Sequence, residues 1–352
     1  MTQRSHHNGL MLGALFAAGA IGVAAGVRRA RSIDLAGLNV LITGGSRGLG
    51  LALAREFARH GARIAICGRD ADTLERARAD LTERGAVVFT SVCDVTDRAA
   101  VARMMREVGD AFGTIDVLVN NAGVIQVGPL ETMTLEDFQA SMAGIFWGAV
   151  HTTLAVLPSM RERGRGRIVN ITSIGGKISV PHLVPYSAAK FALVGFSEGL
   201  RAELAGSHVV VTTVVPGLMR TGSPRNAEFK GRHRAEYAWF SVSDALPGLS
   251  IDVERAARQI VAACRRGAAE VILSLPAQVA TRIHGLFPGA MSTVLGLVSR
   301  SLPAPGGIGT ASAKGHESFS SVSPSWLTAL DEAAARRHNQ VPGSSPPSMR
   351  SA

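Results

Sequence analysis

The sequence predicts a doubly wound α/β domain built on a parallel β-sheet. Over residues 32–275, short runs rich in valine, isoleucine and leucine alternate with longer segments of helical periodicity. Such strand–helix alternation is typical of a parallel sheet with helices on both faces. The 352-residue chain is 46% apolar, which is enough for one substantial core. A glycine-rich segment directly follows the first apolar run, as expected where a nucleotide-binding strand turns into a helix.

Each predicted strand is a short apolar run bounded by polar or glycine residues. The first run, residues 38–43, leads directly into the glycine-rich segment. The second lies within residues 63–69 and ends at Gly68 and Arg69. The remaining predicted strands are residues 86–89, 117–119, 167–171, 209–215 and 270–274.

The glycine-rich segment has the composition of a phosphate-binding loop. Its glycines follow the pattern Gly-x-x-x-Gly-x-Gly, and apolar residues recur at helical spacing directly after it. At a helix N-terminus, backbone N–H groups can bind a pyrophosphate, and glycine permits its close approach. The spacing differs from the Gly-x-Gly-x-x-Gly of the common dinucleotide fingerprint. The candidate cofactor-binding residues here are Gly44, Ser46, Arg47, Gly48, Leu49 and Gly50.

A serine, a tyrosine and a lysine are spaced for proton transfer at an alcohol or carbonyl oxygen. Tyr186 lies thirteen residues after Ser173, and Lys190 lies four residues after Tyr186. Residues four apart share one face of a helix, so the Lys190 ammonium would lie beside the phenol. A phenol of pKa ~10 is a weak acid–base catalyst at neutral pH unless a nearby cation stabilises its phenolate. We predict that all three are catalytic; the alternative is an ordinary surface-helix role for Tyr186 and Lys190.

Together these motifs resemble the short-chain dehydrogenase/reductase family over roughly residues 35–275. The resemblance is carried by residues 43–50, by Asn-Asn-Ala-Gly at 120–123, and by the serine, tyrosine and lysine. It implies a single Rossmann-like domain that transfers hydride between NAD(P) and a carbonyl or an alcohol. Ser173 would hold the substrate oxygen, and Tyr186 would be the proton donor or acceptor. Lys190 would also bind the nicotinamide ribose, beside Tyr186.

The resemblance implies further cofactor contacts. Asp94, at the end of the third predicted strand, is similar to the family's adenine contact. A Pro-Gly-x-x-x-Thr segment follows the sixth strand, and its threonine would approach the nicotinamide amide. The implied residues in these segments are Asn121, Ala122 and Gly123 after the fourth strand, and Pro216, Gly217 and Thr221 after the sixth.

One position departs from the family pattern. Ile145 stands where many members carry an asparagine that anchors a proton-relay water. Either another group holds that water or turnover is slow. The sequence therefore favours an oxidoreductase but leaves a second class open, an NADP(H)-binding sensor or scaffold with little or no turnover. A sugar-nucleotide epimerase or dehydratase fits less well, because its glycine spacing and larger C-terminal substrate domain are not visible.

Charge at the end of the second strand predicts NADP(H). Sites for NAD place a carboxylate there to bind the adenosine ribose, and that carboxylate repels a 2′-phosphate. Here Gly68 occupies the position, Arg69 follows it, and Arg47 is available from the glycine-rich loop. Two guanidinium groups can bind a phosphate through charge-assisted hydrogen bonds. The alternative is that both arginines are merely solvated.

Residues 1–31 are predicted to form a separate N-terminal segment with a membrane helix at 9–27. These 19 residues are uncharged, and a helix needs ~20 apolar residues to span a bilayer. Three arginines follow at 28, 29 and 31 while only Arg4 precedes, so the catalytic domain would be cytoplasmic and membrane-associated. The alternatives are a cleaved export signal, since Ala18-Gly-Ala20 resembles a cleavage site, or a loosely folded leader.

The regions after the sixth strand are predicted from composition. Residues 221–250 resemble the family's variable substrate lid, and their aromatic residues indicate either an apolar substrate or packing onto the core. Residues 276–302 form an apolar segment, in which 285–298 would contact a membrane surface or a subunit, or cover the substrate site. Residues 303–352 are rich in Ser, Pro and Gly and predict a flexible tail with one short helix at about 323–335.

Composition argues against two other classes of site. The net charge of +10 is spread along the chain without a basic stripe carrying interleaved aromatics, so we predict no nucleic-acid partner. No His/Cys/Asp cluster has metal-ligand spacing, so we predict no metal. The spacing of the three cysteines is not that of a disulfide or a metal site. It indicates a reducing compartment, in which the cysteines serve as small buried side chains. Homo-oligomers are usual in the family that the chain resembles.

Overall fold

A parallel seven-stranded sheet forms the centre of the protein. The computed structural model describes residues 32–246 and 248–341. Within these ranges the central strands follow the order β3–β2–β1–β4–β5–β6–β7, and all neighbours run parallel. Their bounds are β1 (Asn39–Thr43), β2 (Arg63–Gly68), β3 (Val88–Val92), β4 (Val117–Asn120), β5 (Gly166–Ile171), β6 (Val209–Val215) and β7 (Glu270–Ile272). The predicted doubly wound α/β class is confirmed.

Eleven α-helices occur in the described ranges, and most of them cover the two faces of the sheet. They are α1 (Gly48–Arg59), α2 (Ala71–Glu83), α3 (Arg98–Phe112), α4 (Leu135–Ser141), α5 (Gly148–Glu162), α6 (Val184–Glu203), α7 (His233–Ala245), α8 (Val253–Arg266), α9 (Leu275–Leu286), α10 (Pro288–Ser301) and α11 (Ala329–Arg337). One core cluster packs α1, α2 and α8 against one face, and a second packs α3 and α5 against the other. The continuous apolar strands of the sequence reflect this burial on both sides.

The strand order reverses between β1 and β4, and this places two loops side by side. Val40 of β1 pairs with Val117 of β4, and Ile42 pairs with Val119. Because parallel strands end at the same edge of the sheet, the glycine-rich loop after β1 meets the loop that follows β4. Ligands bind at such reversal points in doubly wound sheets. The fold therefore brings together two of the segments that the sequence analysis identified.

One helical run is long and apolar enough to cross a membrane by length and composition. It covers Leu135–Glu162, and 50% of its most apolar window is buried inside the protein. It comprises α4, a π-helix at Met142–Trp147, and α5, whose side chains contribute to the core. This is the behaviour of a core helix in a globular domain. The predicted membrane helix at residues 9–27 lies outside the described residues.

The prediction of a flexible tail is wrong for residues 303–341. The short strand Ala313–Lys314 pairs antiparallel with Glu228–Phe229, and α11 packs on the region after β6. The predicted short helix is present as Trp326–Thr328 followed by α11. Backbone pairing supplies much of the order that composition did not predict, as in the bond from the Ile308 N–H to the Gly231 carbonyl at 2.9 Å. Low apolar content did not prevent folding, because polar groups pair with the lid.

Helix α11 is held to the lid by a buried carboxyl group. Asp331 Oδ1 accepts a hydrogen bond from the Gly222 N–H at 2.8 Å, and a Cβ at Gly222 would lie 2.3 Å from the Ala335 Cα. Burial raises the pKa of Asp331 to about 6, with a further contribution from Glu332. Burial also raises the pKa of Asp244, which faces Asp331, well above its usual value. Ionisation of this pair is therefore unfavourable in the folded protein.

We expect Asp331→Asn to stabilise the protein at alkaline pH. The folded-state pKa of Asp331 is raised, so its ionisation costs stability as the pH rises above the unfolded value and through about 6. Asparagine keeps the acceptor for the Gly222 N–H and removes the charge. The gain in free energy of unfolding should approach about 3 kcal/mol at pH 8 and vanish near pH 4.

Urea denaturation at pH 4, 6 and 8 measures this difference, and the exposed Asp72→Asn is the matched control. A loss of stability in Asp331→Asn that grows from pH 4 to pH 8 would show instead that the ionised carboxylate stabilises the folded protein.

Candidate active site

The glycine-rich loop leaves β1 and enters α1 with no room for side chains at its key positions. A Cβ at Gly50 would lie 2.1 Å from the Gly44 carbonyl oxygen, which backbone atoms cannot accommodate. Gly44 and Gly48 have positive φ angles of 62° and 56°. The Gly45 N–H donates to the Cys67 carbonyl at 3.2 Å and ties the loop to β2. The loop therefore offers bare backbone at a helix N-terminus, which suits a pyrophosphate.

Asn121 joins this loop to the segment after β4. Its side-chain Nδ2 donates to the carbonyl oxygens of Thr43 and Gly44, each at 3.0 Å. The Thr43 hydroxyl accepts from the backbone N–H groups of Asn121 and Ala122 at 3.0 and 3.1 Å. Asn120 instead lies within the core and donates to Asn170 Oδ1 at 2.8 Å. Asn121 thus fixes the loop, whereas Asn120 fixes β4 against β5.

The predicted catalytic residues come together at the C-terminal edge of β5. Ser173 follows β5, and its hydroxyl accepts from the Gly175 N–H at 3.0 Å and hydrogen-bonds Tyr186. Tyr186 and Lys190 lie on α6, with Lys190 Nζ 5.6 Å from the centre of the Tyr186 ring. Lys190 Nζ also donates to the Ile171 carbonyl at 2.9 Å. The predicted sharing of one helix face is therefore present.

Burial sets the protonation of this pair. Burial raises the pKa of Tyr186 to about 12, although its hydrogen bond to Ser173 lowers it. Burial also lowers the pKa of Lys190 to about 7. The spacing of the two residues predicts that Lys190 stabilises the phenolate, but desolvation is the largest effect on the pKa of Tyr186 in this structure. Around neutral pH the phenol is therefore protonated, and the ammonium is close to its titration point.

Ile145 lies beside the predicted catalytic residues, where the family pattern places an asparagine. Its side chain is buried beside Tyr186 and α6, and a Cβ at Gly123 would lie 3.3 Å from its Cγ1 and 3.9 Å from Lys190 Nζ. The residue belongs to the π-helix Met142–Trp147, which widens the helix at this point. An apolar side chain therefore lies where the family pattern puts a polar one, within a helix whose backbone hydrogen bonding is irregular.

Two arginines lie close together at the other end of the loop. Desolvation and then the like charge of Arg69 lower the pKa of Arg47, although its side chain still reaches solvent. Asp70, directly after Arg69, acts in the opposite direction on Arg47. Its carboxylate is engaged as the cap of α2, where it accepts from the Thr73 N–H at 2.7 Å. Two cations with mutual repulsion form a site that an anion would stabilise.

The other predicted cofactor residues lie at the same edge of the sheet. Asp94 follows β3, and its Oδ1 accepts from the Thr96 N–H at 2.9 Å. Pro216 and Gly217 follow β6, and a Cβ at Gly217 would lie 2.9 Å from Ser274 Oγ. The buried Thr221 lies 4.0 Å from the Cβ position of Gly48. The fold thus gathers these segments around the end of the glycine-rich loop.

A match to a family model accompanies this geometry. The model described as short chain dehydrogenase matches residues 38–230, which is more than half of the chain. The chain belongs to the short-chain dehydrogenase/reductase family. The matched range contains the glycine-rich loop, the segment after β4 and the three predicted catalytic residues. A hydride-transfer oxidoreductase with a nicotinamide cofactor follows from this membership.

Individual relatives leave the cofactor type open. Dehydrogenase/reductase SDR family protein 7-like of Anopheles gambiae is 40% identical over 206 residues, covering 57% of this chain and 64% of that protein. A crystal structure of actinorhodin polyketide ketoreductase with NADPH is 30% identical, with a TM-score of 0.61, over 69% of this chain and 97% of that one. A structure of NAD⁺-bound xylitol dehydrogenase is 25% identical, with a TM-score of 0.59, over 68% and 99%. This chain thus spans less than two thirds of the Anopheles relative.

The lid of this short-chain dehydrogenase packs its aromatic side chains inward. Tyr237 and Phe240 of α7 are buried against Phe229, so they hold the lid to the body. Trp239 is half-buried, and it belongs with Tyr186 to the partly buried residues that flank the same apolar cluster. The packing alternative is confirmed for Tyr237 and Phe240. Trp239 is left partly exposed at the edge of this cluster.

A buried hydrogen bond between His182 and Glu236 anchors the loop before Tyr186. His182 Nδ1 lies 2.9 Å from Glu236 Oε1, and Trp239 Nε1 donates to Glu236 Oε2 at 2.6 Å. Glu236 is fully buried, and His182 has a positive φ of 62°. The structure gives His182 a positioning role between the loop and the lid.

Residues near the C-terminus, which were not predicted to contribute to the site, border the glycine-rich loop. The His338 carbonyl accepts from the Gly48 N–H at 2.9 Å. Asn339 Nδ2 donates to the Ser46 carbonyl at 2.8 Å, and Asn339 Oδ1 accepts from Arg76 Nε at 2.9 Å. No local pattern indicates these contacts, because the partners lie more than 260 residues apart in the chain. The C-terminal segment therefore binds the Gly48 N–H, a backbone donor that was predicted to bind a cofactor phosphate.

We expect Asn339→Ala to strengthen binding of a nicotinamide dinucleotide. The change removes three hydrogen bonds, to Ser46, Thr73 and Arg76, and each is worth about 1 kcal/mol. A loosened segment would free the Gly48 N–H and lower the Kd by roughly fivefold or more. Fluorescence titration with NADPH and with NADH measures the change.

The matched control is Gln278→Ala. The side-chain amide of Gln278 in α9 donates a hydrogen bond to the Ile272 carbonyl in β7, away from the glycine-rich loop. A higher Kd in Asn339→Ala would mean that the C-terminal residues support the bound dinucleotide instead of competing with it.

Proposed function

We propose that this protein is an NADP(H)-dependent oxidoreductase that transfers hydride between the nicotinamide and an apolar ketone, aldehyde or secondary alcohol. The observation that carries the proposal is the group of Ser173, Tyr186 and the buried Lys190 at the edge of the sheet where the glycine-rich loop lies. The chemistry needs a proton donor beside the carbonyl oxygen and a nearby site for the nucleotide. The fold provides both at one edge.

Reduction uses these side chains in defined roles. The Ser173 hydroxyl, oriented by the Gly175 N–H, donates a hydrogen bond to the substrate oxygen and polarises the carbonyl. The Tyr186 hydroxyl donates its proton to the same oxygen. A nicotinamide bound at this edge would supply the hydride for the carbonyl carbon, and the proton from Tyr186 would complete the conversion of the carbonyl to an alcohol. The Lys190 ammonium stabilises the phenolate as it forms.

The pKa values favour reduction at neutral pH. With a pKa of about 12, Tyr186 holds its proton and is ready as an acid, whereas alcohol oxidation needs the phenolate as a base. Lys190, with a pKa of about 7, is charged only below that pH. The rate of reduction should therefore be highest below about pH 7 and should fall above it. The direction follows from burial, which stabilises the neutral form of both groups.

The adjacent arginines support NADP(H) as the cofactor. Arg69 lies close enough to Arg47 for its charge to help lower the pKa of Arg47, after the larger effect of desolvation, and a 2′-phosphate would offset this unfavourable interaction. The position before Arg69 is Gly68, so the strand end carries no carboxylate to repel that phosphate. The nearby Asp70 caps α2 through the Thr73 N–H, which reduces its competition for the arginines.

The surroundings of Tyr186 support an apolar substrate. Its ring packs beside the apolar cluster that contains Val127, Leu183 and Phe229, and Ile145 lies on its other side. Trp239 of the lid is only half-buried next to this cluster. Apolar side chains on both sides of the reacting group exclude water and favour an apolar partner. We further propose that residues 9–27, which precede the described part of the chain, associate the enzyme with a membrane.

A sensor or scaffold without turnover is the competing function, and Ile145 is the observation that favours it. The buried isoleucine beside Lys190 removes the side chain that would hold a relay water. Retention of all three proton-transfer residues favours the enzyme, because nucleotide binding alone does not require them.

We expect Tyr186→Phe to abolish carbonyl reduction without weakening NADPH binding. Loss of one hydroxyl removes the proton donor, and general acid catalysis is worth about 10²–10⁴ in rate. The measurement is NADPH oxidation against a panel of apolar ketones and aldehydes from pH 5.5 to 9. The parent enzyme should show kcat/KM falling as the pH rises through about 7, the value for Lys190.

Tyr237→Phe, in the same lid-side cluster, removes the only other tyrosine hydroxyl and is the matched control. NADPH binding by the parent with no Tyr186-dependent turnover on any substrate would favour the sensor.

We expect Arg69→Ala to reduce the preference for NADPH over NADH by about tenfold or more, because one charge-assisted phosphate contact is worth about 1.5–3 kcal/mol. Binding of both cofactors is compared by titration, with Arg106→Ala on α3 as a control for loss of an arginine. Equal weakening of NADH and NADPH would place Arg69 away from the 2′-phosphate.

A further inference from the structure

Helices α9 and α10 form a hairpin with an apolar surface that the described protein does not cover. We call the exposed side chains Leu275, Val279, Ile283, Leu286, Phe287 and Leu297 the hairpin surface. Leu286 is 74% exposed and Leu275 is 70% exposed, which is unusual for side chains of this size. In α9 only Ala277 is buried, and α10 has no buried residue. The hairpin is therefore attached to the body mainly through the start of α9.

The exposed residues are arranged as stripes. Leu275, Val279 and Ile283 recur every four residues, so they lie along one side of α9, and Leu286 continues that side. Phe287 lies at the turn into α10, and Leu297 lies one helical repeat after Val294, which is also exposed. Each helix thus has an outward apolar side and a polar side. This is the pattern of helices that lie in an interface between water and lipid.

Charge on and around the hairpin is positive. Residues 271–316 contain no aspartate or glutamate, whereas Arg282 and Arg300 lie on the two helices. A segment of this length without aspartate or glutamate is unusual in a chain with 27 acidic residues. Its two arginines therefore have no carboxylate partner within the hairpin. The surface therefore suits a negatively charged partner.

Segments of this chain are poor candidates for that partner. Residues 1–31 contain four arginines and no acidic residue, and residues 342–352 contain one arginine and no acidic residue. A second copy related by two-fold symmetry would bring the same Arg282 and Arg300 toward their equivalents. All three occupants would add like charge to the hairpin.

We propose that the α9–α10 hairpin docks on the surface of an anionic lipid bilayer. The stripes of the hairpin surface enter the boundary between headgroups and acyl chains, and Arg282 and Arg300 contact the anionic headgroups. A bilayer fits better than an acidic protein because the stripes offer apolar side chains and little directional hydrogen bonding. This contact is distinct from residues 9–27 and holds the domain itself against the membrane. It does not depend on the catalytic proposal.

Site-specific fluorescence in the full chain tests the proposal. Leu286→Cys and Leu297→Cys each receive an NBD label, which the three buried native cysteines do not take up. Because residues 1–31 could bind vesicles alone, the readout is the environment of the label and not binding itself. In vesicles of phosphatidylcholine with phosphatidylglycerol, both labels should shift to shorter wavelength and be quenched by doxyl-labelled lipid.

Leu135→Cys is the matched control. It is an exposed leucine at the start of α4, beside Glu136 and Asp137, and its label should stay in water. The parent chain, treated with the same label, measures any labelling of the native cysteines. The double variant Arg282→Glu and Arg300→Glu should reduce the quenching of the Leu286 label and remove its preference for anionic over neutral vesicles.

Two results would overturn the proposal. Labels at both hairpin positions that remain solvent-exposed in anionic vesicles would show that the hairpin does not reach the bilayer. Labels that are shielded but not quenched by doxyl lipid would show that protein, from a second copy or another part of the chain, covers the hairpin.

Discussion

The parallel pairing of β1 with β4 is the constraint on which the site depends. It is the point where the strand order reverses, and it puts the ends of two non-adjacent segments at one edge of the sheet. The Thr43 hydroxyl and the Asn121 amide then hold the glycine-rich loop against the segment after β4. A shift of one residue in this register would turn the buried strand side chains to the opposite faces and separate these partners. The nucleotide loop and the core are therefore specified by the same pairing.

Desolvation is the second constraint, and it acts on the chemistry. The fold buries Tyr186 and Lys190 together, which favours the neutral form of each group and moves their pKa values in opposite directions. A surface pair with the same spacing would leave the lysine charged and the phenol near its ordinary pKa. Because of this burial, Tyr186 keeps its proton at neutral pH, and Lys190, four residues later on the same helix, titrates near neutral pH. Burial of the Lys190 ammonium is unfavourable, and its hydrogen bond to the Ile171 carbonyl partly offsets the lost solvation.

Sequence patterns predicted what depends on local spacing. Strand runs such as residues 209–215 and 167–171 were located well because β5 and β6 are buried on both faces and are rich in valine and isoleucine. The serine, tyrosine and lysine were found because a loop and one helix set their geometry. The order of residues 303–341 was not predictable in this way. Its stability comes from long-range polar contacts, such as Asn339 with Ser46, and composition contains no signal for partners so distant in the chain.

Those long-range contacts link regions that the sequence presents as independent. Asn226, in the lid region, donates to Gln340 Oε1 at 2.7 Å, and the adjacent Asn339 bonds the glycine-rich loop. The lid and the nucleotide loop are therefore held by neighbouring residues of one short segment. A displacement of that segment at the loop would also disturb its bond to the lid, since two adjacent residues have little freedom to move separately. The region that composition assigned to disorder thus directly connects the segment after β6 with the glycine-rich loop.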